Sequence, residues 1–216
     1  MRCIEIINNI IPTIPLILEN GSKIMHSNGK ILYNYPLNYT SLQYLKSILL
    51  LNENNINYLC FSSLDNAKYF FYTSKKHYHD LEKKIKYCLK LTTDIDEFLN
   101  YAFKNKCTQI TIEVIDRGRF IDNDLRFEKS EKSFLHLKEK GVNKGSAIKN
   151  LAEYISIPLN DVIIVGNDSN DIEMFRLNVH DAIYVTDDAK PDRVLSAYAT
   201  KIMNRRELFS YIDNLK

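Results

Sequence analysis

Cysteine is scarce in this sequence, and its few cysteines are far apart. The 216-residue chain contains four of them, at Cys3, Cys60, Cys88 and Cys107. None forms a Cys-x-x-Cys pair, so neither a zinc site nor a disulfide framework is expected. Reduced thiols in the cytoplasm are the default interpretation.

An excess of charge of one sign and a long apolar run are also absent. Lysine and arginine number 29 against 27 aspartates and glutamates, a net charge of +2. This balance gives no electrostatic reason to expect nucleic acid or an anionic membrane as a partner. The apolar start at 4–18 is interrupted by polar residues and lacks the cleavage site of a signal peptide. No run reaches the length that spans a membrane.

Glycine is limited to six residues, and no glycine-rich phosphate loop follows an early strand. This disfavours a generic nucleotide-binding or response-regulator-like α/β protein. What the chain does have is 45% hydrophobic residues and enough length for one large domain or two small ones.

The pattern of predicted elements changes near Lys144. After it, helices and strands alternate strictly, which predicts a parallel, doubly wound sheet. Before it, strands follow strands, and an Asn-Gly pair at 28–29 predicts a tight hairpin. The chain is therefore predicted to combine an α/β segment with an α+β module inserted ahead of it. The predicted helices are 3–11, 42–51, 78–89, 94–103, 145–155, 170–177, 190–197 and 204–214, and the predicted strands are 15–18, 23–26, 30–33, 56–62, 108–115, 120–127, 133–137, 161–165 and 182–185.

A polar loop, Gly166-Asn-Asp-Ser-Asn-Asp171, follows the continuous apolar run 162–165. Such a run is typical of a strand buried on both faces, and ligands of open α/β sheets bind at the carboxyl ends of strands. Asp168 and Asp171 offer the hard oxygen ligands that Mg²⁺ takes. The same polar residues could instead cap the next helix. Both interpretations stay open at this level.

Lys144 is predicted to lie at the start of a helix, beside Gly145. A lysine in that position can neutralise phosphate oxygens or a nucleophilic carboxylate. Taken alone, the Lys-Gly pair is also compatible with a solvated turn.

Together these segments resemble motifs of the haloacid dehalogenase (HAD) superfamily, specifically the Cof-like phosphatases with a large α/β cap. The third family motif, Gly-Val-Ser-Lys-Gly, is similar to Gly141-Val-Asn-Lys-Gly145. The fourth, Gly-Asp-x-x-Asn-Asp, is similar to 166–171, which is followed by the family-like Ile172-Glu-Met174. The segment 15–21 resembles the third core strand with its Asn-Gly turn, so the resemblance covers nearly the whole chain.

The resemblance implies a HAD-like, Rossmannoid parallel-sheet core formed by residues 1–37 and 139–216. Residues 38–138 would be the inserted α+β cap that selects the substrate. The implied reaction is Mg²⁺-dependent hydrolysis of a small phosphomonoester, with sugar phosphates among the candidates.

It also implies roles for individual residues. Lys144 would contact the phosphate and the catalytic aspartate, and Asn170 would be a second phosphate contact. Mg²⁺ would be held at the position of Asn167, where the family has Asp, or by the neighbouring Asp168, with Asp171 holding a metal-bound water. Asp188 also departs from the family pattern, which has Asn there.

The nucleophile motif of the family, Asp-x-Asp after the first strand, has no match ahead of the strand at 15–18. The Asp-x-Asp at 94–96 leads into a helical pattern and is interpreted as a helix N-terminus. We therefore expect a core without its first two strands and a chain that is inactive alone. The alternatives are a non-catalytic phosphate-binding or assembly protein, or the C-terminal half of a split enzyme. A phosphorylated metabolite is the expected ligand, and a complementing N-terminal fragment or a second copy is the expected protein partner.

Overall fold

A computed structural model describes residues 15–26, 28–62, 69–85, 88–122, 127–129 and 133–215. The predicted helix at 3–11 lies outside these residues. The chain divides into two compact units, Met1–Val142 and Asn143–Lys216. No helix in the described part of the chain is long and apolar enough to cross a membrane.

The first unit begins with a small antiparallel sheet of β1 (Pro15–Leu18), β2 (Lys23–His26) and β3 (Ile31–Asn34). The turn between β1 and β2 places Glu19, Asn20 and Gly21 at positive φ. The predicted Asn-Gly hairpin is confirmed, since β2 and β3 pair antiparallel and Gly29 has a φ of 90°. Glycine adopts this left-handed conformation without steric penalty.

A six-stranded sheet forms the larger part of the first unit, in the order β6-β5-β4-β7-β9-β8. All its pairs are antiparallel except β5 with β6. Its strands are β4 (Ile56–Ser62), β5 (Tyr69–Tyr72), β6 (Cys88–Thr92), β7 (Ile110–Val114), β8 (Phe127–Lys129) and β9 (Phe134–Leu137). Its helices are α1 (Tyr39–Leu51), α2 (Tyr78–Lys84) and α3 (Ile95–Lys104).

The sheet uses the alternation that the sequence shows. In β7, Ile110, Ile112 and Val114 are buried, whereas Thr111 and Glu113 are half-buried on the other face. The buried side chains of β7 join one apolar core with those of α1 and α3. The prediction that strands follow strands in this part of the chain is confirmed.

Two predictions in this unit were wrong in detail. The helix predicted at 78–89 ends at Lys84, and the end of that range pairs in parallel with β5 as part of β6. Strand pairing is a tertiary interaction, and it overrides the local helical pattern here. In the strand predicted at 120–127, residues 120–122 are not in a strand, 123–126 lie outside the described residues, and Phe127 begins β8. A 3₁₀ turn, Arg117–Arg119, precedes it, and the Asp116 side chain caps that turn by accepting from Gly118 N.

The second unit contains a parallel sheet in the order β10-β11-β12. Helices and strands alternate in it, which confirms the prediction of a parallel α/β segment. Its elements are α4 (Lys144–Tyr154), β10 (Ile163–Gly166), α5 (Ile172–Phe175), β11 (Asp181–Val185), α6 (Arg193–Tyr198), β12 (Lys201–Met203) and α7 (Arg205–Asp213). The three-residue strand β12 was not predicted.

The two units have separate apolar cores. The strands β1 to β3 belong to the same compact unit as the six-stranded sheet. Asn20 Nδ2, in the turn between β1 and β2, donates to Gln109 Oε1 at 3.2 Å. The predicted division into a core of 1–37 and 139–216 and a cap of 38–138 stays a prediction.

Candidate active site

The start of α4 places Lys144 at the first position of a well-capped helix. The Asn143 side chain accepts from Ser146 N at 2.8 Å, and Ser146 Oγ accepts from Asn143 N at 3.0 Å. This reciprocal capping box satisfies two backbone donors that the helix leaves without a partner. Lys144 therefore projects from a fixed helix end.

Gly145 is required by a close approach between two elements. A Cβ at this position would lie 2.3 Å from the carbonyl oxygen of Glu173 in α5. Only a residue without a side chain allows the backbones to come so close. The Lys-Gly pair thus has a packing function in addition to any chemistry of the lysine.

The loop after β10 is organised around the buried carboxylate of Asp171, whose residue is 4% exposed. Its Oδ2 accepts from Asn167 N at 2.8 Å and from Asp168 N at 3.1 Å. Gly166 makes room for it, since a Cβ there would lie 2.7 Å from Asp171 Oδ2. The buried carboxylate therefore holds the backbone of the loop in place through these two hydrogen bonds.

Lys144 connects the helix start to this loop. Its Nζ lies 2.5 Å from Asp171 Oδ1 and 3.0 Å from Asn170 Oδ1. The Lys144 side chain is 27% exposed and that of Asp171 is 5% exposed. Side chains 26 and 27 residues apart in the sequence thus meet in one cluster at the carboxyl end of β10. The Lys144 side chain is thus partly open to solvent while its Nζ is held between two side chains.

The two other proposed metal ligands have a different environment. Asn167 and Asp168 are both exposed. Asp168 Oδ1 accepts from Ser169 N at 2.6 Å as the cap of the short 3₁₀ turn Ser169–Asp171. The capping interpretation of this loop is confirmed, whereas the metal-binding interpretation stays a prediction. Within the described ranges, no three His, Cys, Asp or Glu side chains lie close enough together to hold a metal ion.

The Asp-x-Asp segment at 94–96 is a helix cap, as predicted. The Asp94 side chain accepts from the backbone N–H groups of Asp96 and Glu97 at the start of α3. A second Asp-x-Asp, not considered from the sequence, lies at 122–124. There the Asp122 carboxylate accepts a hydrogen bond from the Tyr44 hydroxyl, and Asp124 is not among the described residues.

Asp188, the second departure from the family pattern, is exposed in the loop after β11. Its backbone N–H donates to Thr186 Oγ1 at 3.1 Å. Sequence reasoning did not assign a role to Gly166. The position of Gly166 in the sequence does indicate such a role, because a glycine between a buried strand and a carboxylate-bearing loop indicates close approach of the backbone.

The parallel sheet, the loop at the carboxyl end of β10 and the lysine at a helix start together define an α/β protein with a site suited to anions. The sequence profile of the haloacid dehalogenase-like hydrolases matches residues 2–183, and the chain belongs to this family. Its resemblance to the Cof-like HAD phosphatases is thereby confirmed.

Several other proteins are similar to this chain. An uncharacterized protein of Mycoplasma capricolum is 28% identical over 172 residues, and the match spans 63% of that relative. A solved phosphatase of the HAD superfamily from Bacteroides thetaiotaomicron has a TM-score of 0.74 at 12% identity, with 98% of this chain and 78% of that chain covered. A solved sugar phosphatase of HAD subclass IIB has a TM-score of 0.69 at 12% identity, covering 95% and 76%. The HAD fold with its cap is thereby confirmed for this chain.

Proposed function

We propose that this protein binds small phosphomonoesters at Lys144 and Asn170, and that the chain alone hydrolyses them negligibly. The observation that carries the proposal is the cluster in which Lys144 Nζ lies within 3.0 Å of both Asn170 and Asp171. The ammonium of a partly exposed lysine beside an amide matches the charge and hydrogen-bonding of a phosphate group. Membership of a family that includes phosphatases supports the ligand class, and the sugar phosphatase among the similar structures favours sugar phosphates.

The proposed negligible turnover is supported by the hydrogen bonds of three aspartates, the buried one in the cluster and the first of each Asp-x-Asp segment. Hydrolysis through a covalent intermediate needs a carboxylate that is free to attack phosphorus. Asp171 is paired with Lys144 and with two backbone N–H groups. Asp94 caps a helix and Asp122 accepts from Tyr44.

The loop does not fit a bound Mg²⁺ as it stands. Mg²⁺ binds proteins through one or two carboxylates in octahedral geometry. Here the buried carboxylate of Asp171 is neutralised by Lys144, and its neighbour at position 167 is an uncharged amide. Asp168 supplies one exposed carboxylate whose Oδ1 is already in a hydrogen bond. We therefore assign no step of the reaction to the metal.

The test is isothermal titration calorimetry, in which the purified chain is titrated with inorganic phosphate and, separately, with glucose 6-phosphate. Lys144→Ala is expected to weaken binding at least tenfold, because it removes the cation that faces the phosphate. Lys149→Ala is the matched control, since Lys149 is an exposed lysine on the same helix and its loss should leave affinity unchanged.

Asn170→Ala is a second variant that leaves the ion pair intact, and we expect a severalfold loss of affinity. Thermal unfolding of each variant separates loss of the site from loss of the fold. Equal affinity in Lys144→Ala and the native protein would refute the binding site. Sustained hydrolysis of p-nitrophenyl phosphate with Mg²⁺, copurifying with the chain and abolished by Lys144→Ala, would refute the proposed inactivity.

A further inference from the structure

The ammonium group of Lys144 is already engaged by a carboxylate of the same unit. Its Nζ lies 2.5 Å from Asp171 Oδ1 and 3.0 Å from Asn170 Oδ1. An ammonium group has three N–H donors, and these two contacts occupy two of them. The cation of the proposed phosphate site is therefore neutralised by a neighbouring side chain before any ligand binds.

Asp171 is the fixed member of this ion pair. It is buried, and its Oδ2 accepts from the backbone N–H groups of residues 167 and 168. Gly166 packs against it, since a Cβ at Gly166 would lie 2.9 Å from Asp171 Cβ. The Lys144 side chain is 27% exposed, and a lysine carries its ammonium on a flexible four-carbon stem. Separation of the pair is therefore a movement of the lysine.

A phosphate group at Lys144 meets the negative charge of Asp171 in either of two arrangements. If the ammonium keeps its contact with the carboxylate, the phosphate binds through the third N–H and lies close to a like charge. Like charges repel strongly at such distances where water is partly excluded. If the ammonium turns to the phosphate instead, the buried carboxylate loses its counter-charge, which is costly for a group removed from water. Both arrangements lower the affinity for phosphate.

The same contact could instead orient the lysine for a ligand. In that case, removal of the Asp171 charge would weaken phosphate binding, because Lys144 would lose the partner that holds it. The geometry favours competition, because Asn170 already provides a neutral contact to Nζ at 3.0 Å. That contact orients the ammonium without placing a second negative charge beside the phosphate.

We propose that the Asp171 carboxylate is an internal competitor of the ligand and keeps the phosphate site at Lys144 in a low-affinity state. This inference rests on the proposed phosphate binding and adds how that site is regulated. A phosphomonoester binds by drawing the ammonium away from the carboxylate. A change that removes the charge of Asp171 but preserves its hydrogen bonds to the loop therefore increases the affinity.

Asp171→Asn makes this change, because the amide oxygen of asparagine still accepts from the backbone N–H groups of the loop. In isothermal titration calorimetry of the full chain with inorganic phosphate, in buffer containing EDTA, we expect the affinity to rise by about tenfold or more. Damage to the loop would lower the affinity, so an increase distinguishes competition from a structural role. Glu153→Gln is the matched control, since Glu153 is an exposed carboxylate on the same helix as Lys144. Its affinity should equal that of the native protein.

A second measurement uses the native chain. The chemical shift of the Asp171 carboxyl carbon is followed by NMR while inorganic phosphate is added. We expect a saturable change, because the ammonium turns from the carboxylate toward the phosphate. The carboxyl carbon of Glu153 should keep its shift. This measurement decides the question by itself if thermal unfolding shows that Asp171→Asn does not fold.

Unchanged or weaker affinity in a folded Asp171→Asn, or a constant Asp171 shift at saturating phosphate, would overturn the inference. Lys144→Ala separates this failure from failure of the proposed function. If Lys144→Ala loses binding while Asp171→Asn gains none, the phosphate site stands and only the competition is removed. If Lys144→Ala binds phosphate as tightly as the native protein, the site itself is removed.

Discussion

At the scale of single residues, the second unit depends on two glycines that allow close approach. Gly145 lets α4 contact the backbone of α5, and Gly166 leaves room for the Asp171 carboxylate. Gly145 follows Lys144 directly, and Gly166 packs against Asp171, the ion-pair partner of Lys144. Packing and chemistry at this site are therefore set by the same short segments.

Gly145→Ala is expected to destabilise the second unit by about 1–3 kcal/mol, the range for overpacking a well-packed contact. The new Cβ would meet a backbone carbonyl oxygen, which has little freedom to move. Urea unfolding monitored by circular dichroism gives the change. Gly118→Ala is the control, because its Cβ would meet only the Asp116 side chain at 3.3 Å. A change smaller than about 0.5 kcal/mol in Gly145→Ala would contradict the packing argument.

Asn167→Asp is expected to increase the affinity for Mg²⁺ at least tenfold. The substitution replaces a neutral amide oxygen by a carboxylate, which is the ligand that Mg²⁺ prefers. The affinity is measured by calorimetric titration with MgCl₂. Asn178→Asp, another exposed amide of the same unit that lies outside this loop, is the control. Equal affinities in the two variants would show that position 167 is not a metal ligand.

At the scale of elements, Asp181 connects β11, β12 and α7. Asp181 is buried, with 4% of the residue exposed. Its carboxylate accepts hydrogen bonds from Lys201, from Tyr211 at 2.5 Å and from Thr200 at 3.1 Å. These bonds, the one from Lys201 first, lower the pKa of Asp181 to about 2. The packing of the last helix is thus tied to the charge of one carboxylate.

The pH dependence of stability follows from this lowered pKa. The unfolded chain binds the proton near pH 3.9, whereas the folded chain binds it only near pH 2. The stabilisation is therefore present above about pH 4 and is lost as the pH falls toward 2. We expect Asp181→Asn to remove about 2 kcal/mol of the difference in unfolding free energy between pH 5 and pH 2. Urea titrations at both pH values measure it.

Two comparisons make that result specific. Asp161→Asn removes an exposed carboxylate of the same unit and should leave the acid loss intact. His136, whose pKa is lowered to about 4 by burial and by Lys138, acts at higher pH. Because its folded pKa lies below the unfolded value of about 6.5, it lowers stability as the pH falls from 6.5 to 4. An unchanged acid loss in Asp181→Asn would contradict the assignment.

At the scale of the whole molecule, the two units bury separate sets of apolar side chains. The larger core, in the first unit, includes an aromatic cluster of Phe61, Phe70 and Phe98. The centroid of the Phe98 ring lies 5.3 Å from that of Phe61 and 5.5 Å from that of Phe70. The second unit has its own core around Ile164 and Tyr184. No residue belongs to both sets.

Phe98→Ala should therefore destabilise the first unit by about 3–5 kcal/mol, the range for removing a fully buried aromatic ring. Hydrogen exchange measured by mass spectrometry should become faster at 110–114 and stay unchanged at 163–185. Phe103→Ala, on the same helix but 52% exposed, should shift stability by less than about 1 kcal/mol. Equal acceleration in both units would show that they unfold as one.

Much of this organisation could be predicted from the sequence because it is encoded locally. The apolar run of β10, the cap at Asp94 and the Asn-Gly hairpin depend on periodicity and on single residues. The parallel sheet followed from helix and strand alternation. The strands β5, β6 and β12 were missed because they are short and exist through pairing with strands distant in sequence.

The sequence by itself determined the family, through the spacing of the motifs at 141–145 and 166–171. The tertiary structure decided how those residues are used. It pairs Lys144 with Asp171 and leaves Asn167 exposed. The physical reason is that residue identity fixes charge and hydrogen-bonding capacity. The folded backbone fixes the partner that satisfies each group.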